Sequence, residues 1–290
     1  MTTLSTHTLQ VPGAALAYDV RGPLPTTGRP PLLMVGQPMD ASGFATLAGH
    51  FPDRTVVTYD PRGLGRSTRD DGRLDHDPAV QAEDLHALVE ALGAGPVEVF
   101  ASSGGAVTAL ALVAAHPGDV VTLVAHEPPL LTVLGDADRA FAAERAVQHT
   151  YAAQGGGAGM AHFIGMTSWR GEFTDDYAAL PAPDPASFGL PAGDDGTRDH
   201  PLLSGVSNAV TAYRPDVPAL VSAATRIVVA AGVESADLMT WRTAAATADL
   251  LGQPLTVFPS HHGGFLSDEY GHGGEPEAFA ARLRDVLDQA

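Results

Sequence analysis

The sequence predicts an α/β architecture: a doubly wound, mostly parallel sheet with helices on its faces and a helical segment inserted into it. Three observations predict it. Short, continuous apolar runs recur along the chain, the pattern of strands buried on both faces. Amphipathic or Ala-rich helical stretches alternate with them. The alternation lapses only between about residues 130 and 222, where the chain turns Gly- and Pro-rich, and it resumes afterwards.

Taken in order, residues 14–20 alternate as an edge strand should, and residues 31–35 and 55–59 are buried-strand runs. Residues 79–92 set Val80, Leu85, Leu88, Val89 and Leu92 on one helical stripe, with Gly93 as the stop. Residues 96–101 and 120–125 are two further strands. The Ala-rich residues 104–116 between them form a helix that ends at Pro117. Helices are expected near residues 136–154 and 161–169, and loop chemistry over 175–200. Strands at 226–231 and 255–258 flank a helix near 238–251, and an amphipathic helix over 275–289 ends the series. The expected division is therefore a core over residues 1–129 and 223–290, with an insertion over 130–222.

Composition narrows the function. The 290 residues carry 16 Lys+Arg against 34 Asp+Glu, a formal charge of −18, and an acidic surface repels nucleic acid and anionic membranes. All 16 cations are Arg, which excludes Schiff-base and phosphate-loop lysines. Cysteine is absent, and with it disulfides, thiolate metal sites and thiol nucleophiles. Neither a signal peptide nor an apolar run of about 18–20 residues is visible, so a cytoplasmic location is expected.

The most informative stretch is Ala101-Ser102-Ser103-Gly104-Gly105, between a buried strand and a helix. A serine in such a tight turn needs small neighbours two positions away on each side, and Ala101 and Gly105 supply them for Ser103. One βα unit earlier lies Asp60-Pro61-Arg62-Gly63-Leu64-Gly65-Arg66-Ser67. With this D-x-R-G-x-G-x-S loop the chain resembles the α/β-hydrolase family, from about Val11 to Leu287 apart from the insertion. The loop itself is expected to be a structural brace.

The resemblance implies an α/β-hydrolase fold and a serine nucleophile, Ser103, with a histidine base. The run Phe258-Pro259-Ser260-His261-His262-Gly263 is similar to the family's histidine loop and makes His262 the base. Metal binding by His261 and His262 is the rival reading, but adjacent loop residues rarely converge on one ion, and no metal or cofactor is expected. His200 and His272 lie in Gly/Pro/Asp-rich loops and are given no role. For the acid, Glu127 in His126-Glu127-Pro128-Pro129 is favoured. Glu234, after the penultimate strand where the family more often carries its acid, is the alternative. The Ser-Ser-Gly turn combined with an acid after the following strand is similar to the zearalenone lactonases. The oxyanion hole implied is the N–H of Gly104 with that of Gln37; Pro38 has no N–H to offer.

The insertion resembles the family's cap, in which Met160, Phe163, Met166, Trp169, Phe173 and Phe188 are candidate pocket residues; Met39 and Phe44 are candidates from the core. The implied activity is cleavage of a small-molecule carboxylic ester or lactone through an acyl-serine. A C–C bond hydrolase, perhydrolase or hydroxynitrile lyase on the same residues, or a receptor-like binding module with vestigial turnover, are the competing classes.

Overall fold

The computed structural model describes residues 4–26, 28–269 and 273–289; His272 lies outside them. Nine strands make one sheet: β1 (Leu4–Val11), β2 (Ala14–Arg21), β3 (Leu32–Val35), β4 (Val56–Tyr59), β5 (Thr68–Arg69), β6 (Val97–Ser102), β7 (Val120–His126), β8 (Arg226–Gly232) and β9 (Thr256–Phe258). Their order is β1-β2-β4-β3-β6-β7-β8-β9, with β5 paired to β2. The pairs from β4 to β9 are parallel, while β2 is antiparallel to β1, β4 and β5. The six buried-run strands fall where periodicity put them. One expectation is corrected: residues 14–20 are not an edge strand, because β1 pairs along the whole of β2. The segment LSTHTLQV is mostly exposed and polar, so it carries little of the hydrophobic alternation by which strands are read.

Among the described residues, ten α-helices accompany the sheet: α1 (Ala45–Gly49), α2 (Pro78–Leu92), α3 (Gly104–Ala115), α4 (Ala137–Gln154), α5 (Gly156–Thr167), α6 (Asp175–Ala178), α7 (Asn208–Thr211), α8 (Val217–Ser222), α9 (Met239–Leu250) and α10 (Pro276–Asp288). Side chains alternate across each strand and feed two cores. Leu33, Val35, Val99, Ala101, Leu123 and Ala125 pack with α2 and α3. Leu32, Met34, Phe100 and Val124 pack on the other face with α1 and α10. The α2 start is set by Asp77, whose carboxylate accepts from Ala79 N, with Pro78 in the first turn; Gly93 ends it at φ 61°.

Between β7 and β8 the chain leaves the sheet and builds its own apolar cluster, with Leu131, Val147, Tyr151, Met166 and Phe173 at its centre and Met239 of α9 joining it. The Arg242 guanidinium ties α9 to Asp136 of this excursion, and Asp136 also accepts from Phe173 N at 2.6 Å.

The loop after β4 is a brace, as its composition suggests. Asp60 accepts from Ala41 N at 3.0 Å and from Arg66 N at 2.7 Å, and Ser67 Oγ donates to Asp60 O at 2.6 Å. Arg62 forks onto Asp84 through Nε (2.7 Å) and Nη2 (2.5 Å), both side chains nearly inaccessible. Removing one partner of such a pair strands the other's charge, at a cost of about 3–5 kcal/mol. Arg62→Leu is therefore expected to lower the urea midpoint steeply, and Arg62→Leu/Asp84→Leu to recover part of the loss. Equal midpoints for the single variant and wild type would remove the loop's bracing role.

Candidate active site

The strand order reverses between β3 and β6, and a parallel sheet leaves a crevice at such a switch point, outside the carboxyl ends of its strands. Each candidate residue follows a strand that ends there. Gln37 follows β3, Ser103 follows β6, Glu127 follows β7 and His262 follows β9. Register keeps these ends level: Val35 faces Ala101, Ser102 faces His126, and His126 faces Ala230.

Ser103 adopts φ 58°, ψ −131° at the N-terminus of α3, a conformation that costs a side-chain-bearing residue about 1–3 kcal/mol. Its N–H is fixed on His126 O at 2.9 Å. The surroundings enforce the turn. A Cβ on Gly105 would lie 2.4 Å from Val35 O, and one on Gly104 would lie 2.9 Å from Gln37 O. Ser102, by contrast, is buried, with Oγ 3.3 Å from His126 Nδ1. The N–H groups of Gly104 and Gln37 find no protein acceptor among the described residues, as an anion-accepting pair of donors requires. Gln37 is held from behind, its Oε1 accepting from Gln81 Nε2 at 3.3 Å, while Thr108 Oγ1 donates to Gln81 Oε1 at 3.1 Å.

Glu127 is fully buried and sits at φ 49°, which turns its carboxylate from the end of β7 across the end of β8. Oε1 accepts from Gly232 N at 2.9 Å; Oε2 accepts from Thr240 Oγ1 at 2.5 Å and from His262 Nδ1 at 2.7 Å. Burial alone pushes this carboxyl's pKa up. Hydrogen bonds from His262 Nδ1 and the Thr240 hydroxyl, with the field of the adjacent imidazoles, override it and hold the group well below the usual carboxylate range. Glu234 is exposed in the turn Val233–Ser235, and its carboxylate makes no hydrogen bond among the described residues. His261 folds back on its own loop, with Nδ1 accepting from Gly263 N at 3.0 Å. Ser103 Oγ and His262 line the same cleft without a direct hydrogen bond among the described residues; such bonds commonly tighten only around bound substrate.

The cleft has two lobes, of about 440 and 500 Å³, that share Gln37, Ser103, Phe163 and His262. Phe163 and Met166 line the first; Met39, Met160 and Phe163 line the second. The other apolar candidates go elsewhere. Phe44 and Phe173 are core, Phe188 is exposed, and Trp169 lines a separate hollow with Phe173. His200, given no role from sequence, lines the second lobe. Thr240, Gly232 and Gln81 were missed because each acts from a helix or strand end that has no motif of its own.

His126 was also missed. It is wholly inaccessible, enclosed by Phe100, Phe258, Phe265 and Phe279, with its ring centroid 6.1 Å from that of His262. Among the described residues, His86, His116 and Asp119 form a group close enough to share an ion, at the far end of α3 from Ser103. Its imidazoles stack at 3.8 Å and 7°, so their lone pairs lie in parallel planes and do not converge.

Similarity to known proteins bears on the fold. Residues 32–153 match the family described as alpha/beta hydrolase fold. The chain is 40% identical over 133 residues to the "uncharacterized hydrolase YraK" of Bacillus subtilis (strain 168), a match over 46% of this chain and about half (48%) of that relative's length. Among solved structures, a thermophilic esterase from Thermogutta terrifontis superposes with a TM-score of 0.64 at 20% identity, covering 98% of each chain. The enol-lactonase from Burkholderia xenovorans LB400 superposes with a TM-score of 0.60 at 17% identity, covering 98% of this chain and 100% of that one. The chain has the α/β-hydrolase fold. No helix among the described residues is long and apolar enough to cross a membrane.

Burial pushes the His126 imidazole down to about 4, against an ordinary value of about 6.5. The unfolded chain then binds the extra proton between those values. The neutral side chain's contribution is therefore complete above about pH 6.5 and is lost as pH falls towards about 4, a change on the order of 3 kcal/mol. Urea unfolding across that window is expected to show a shallower pH dependence for His126→Leu than for wild type. Parallel curves would disprove the neutral assignment.

Proposed function

We propose that the chain is a serine hydrolase that cleaves a carboxylic ester or lactone through an acyl-Ser103 intermediate. One observation carries the reading: a buried, ionised Glu127 accepts from His262 Nδ1 at 2.7 Å, at a cleft that Ser103 enters from a strained strand-to-helix turn. Glu127 fixes the tautomer in which Nε2 is free to act as a base and stabilises the imidazolium once formed. His262 takes the proton of Ser103 Oγ as Oγ bonds to the carbonyl carbon, and the carbonyl π electrons move to oxygen. The Gly104 and Gln37 N–H groups stabilise that oxyanion; one such donor is worth roughly 2.7–4 kcal/mol. Collapse breaks the C–O bond and His262 protonates the departing alkoxide, which in a lactone stays tethered to the acyl group. Water, deprotonated by His262, then releases the acid and restores Ser103. No cofactor takes part in these steps.

The excursion over residues 130–222 acts as the cap, with the core formed by residues 1–129 and 223–290. An esterase and an enol-lactonase among the structural neighbours agree in kind with this chemistry. The combination of Ser102-Ser103-Gly104 with Glu127 supports a lactonase of the zearalenone-lactonase type within it.

Fluorophosphonate labelling followed by peptide mapping tests the reading. Label is expected on Ser103 and not on Ser102, and Ser103→Ala should abolish both label and ester turnover with folding intact. Glu127→Gln should lower kcat by roughly 10⁴, the size of the analogous change in serine proteases. Glu234→Gln and His261→Ala should stay near wild type. A dead Glu234→Gln beside an active Glu127→Gln would reassign the acid.

A further inference from the structure

The first lobe of the cleft is apolar along Leu131, Val147, Phe163, Met166 and Met239, yet it contains one ionisable carboxyl, that of Glu144. Glu144 lies on α4 one turn before Val147 and Gln148, on the helix face that borders the lobe. It is absent from the junction that the two lobes share around Ser103 and His262. One of its oxygens, Oε1, accepts from Thr211 Oγ1 at 2.8 Å. Oε2 has no protein partner among the described residues, is not among the buried unpaired polar atoms, and belongs to a residue that lines the lobe. Beside it, Gln148 Nε2 donates to Asn208 Oδ1 at 2.5 Å, so those two amides spend much of their capacity on each other. The Glu144 carboxyl, beside Gln148, Asn208 and Thr211, is left with one unpaired oxygen in a mainly apolar wall.

Charge narrows what can occupy it. No arginine lines either lobe, and the chain has no lysine, so a substrate carboxylate or phosphate would meet no counter-ion there. Burial raises the Glu144 pKa, with Thr211 and Arg145 opposing, which weakens its hold on a cation relative to an uncharged hydrogen-bonding partner. An apolar substituent ending at Glu144 would remove water from the carboxyl without replacing its hydrogen bond. A hydroxyl replaces it.

We propose that Glu144 is a specificity-determining residue and that the substrate is an uncharged ester or lactone bearing a hydroxyl group, on a substituent held in the first lobe, that donates to Glu144 Oε2. This rests on the serine-hydrolase reading above and adds the substrate class to it.

The test uses p-nitrophenyl esters of ω-hydroxy, ω-methoxy and ω-amino alkanoic acids over a range of chain lengths. The leaving group is constant, so ratios of kcat/KM report recognition of the acyl chain alone. At the best-fitting length, wild type is expected to favour the hydroxy over the methoxy ester by roughly 10- to 100-fold, the worth of a hydrogen bond in such a setting. Glu144→Met should bring that ratio near one while retaining turnover of an unsubstituted ester, with Glu144→Leu as the second variant should the first not fold. Thr211→Val removes the tether but leaves the carboxyl, and should keep the preference. A wild-type ratio near one, preference for the ω-amino ester, or a preference that survives in the folded Glu144 variant would each overturn the inference while Ser103 still labels. Absence of fluorophosphonate labelling would overturn the hydrolase reading and this inference with it.

Discussion

The structure at the crevice depends on keeping one carboxylate ionised where no water reaches it. Glu127 is fully buried, and an unpaired charge there would cost several kcal/mol. Three donors offset that cost: the Gly232 amide, the Thr240 hydroxyl and His262 Nδ1. Each places a demand on a different element. The amide is available because β8 ends at Gly232, the hydroxyl because α9 begins just before Thr240, and the imidazole because the loop after β9 turns back over both. The residue at position 232 cannot carry a side chain, since a Cβ there would lie 2.5 Å from Ser260 O in the histidine loop. The carboxylate, the imidazole and their support are thus one packed unit.

The second demand is steric and falls on the opposite side of the crevice. Ser103 and Glu127 both have positive φ without being glycine, and their neighbours leave little alternative. At Ser103 the helix start is pressed against the β3 end so closely that only glycines fit at 104 and 105. The same closeness sets Gly104 against Gln37. Backbone strain at Ser103 and the nearness of Gly104 to Gln37 therefore go with one contact, that between α3 and the loop after β3. Gln81 and Thr108 stiffen it from behind through the Gln37 side chain.

These demands explain which features were legible in the sequence. Strands buried on both faces are continuous apolar runs, and all six expected runs became strands within a residue or two. Residues 101–105 and 258–263 were legible because tight turns admit few residue types. β1 was not legible, because a half-exposed edge strand of Ser, Thr and His has no pattern to distinguish it from loop. Nor were Thr240 and Glu144, since a helix residue becomes part of a cleft only through the way its helix is laid down. His126 was hidden for another reason: one position before a more conspicuous glutamate, it reads as polar, whereas β7 carries it into an aromatic cage.

The contrast between Glu127 and Glu234 shows why the carboxylate that meets the imidazole could not be read from motif position alone. β7 and β8 are adjacent and parallel, with His126 level with Ala230, so a carboxylate leaving either strand could meet an imidazole arriving from the loop after β9. The imidazole does not distinguish the two strands; the backbone beyond each strand does. At Glu127 the chain turns through positive φ and sends the side chain inward, with Pro128 and Pro129 directing the main chain away. At Glu234 the chain enters a short helical turn, fixed by its N–H on Ser260 O at 2.9 Å, and the side chain faces solvent. Ser235, one residue on, is buried instead, lining the first lobe of the cleft. With Gly232 donating an N–H from the β8 end, that strand supports the carboxylate rather than supplying it. In this chain the carboxylate that meets the imidazole comes from the end of β7, and β8 offers the Gly232 N–H beside it.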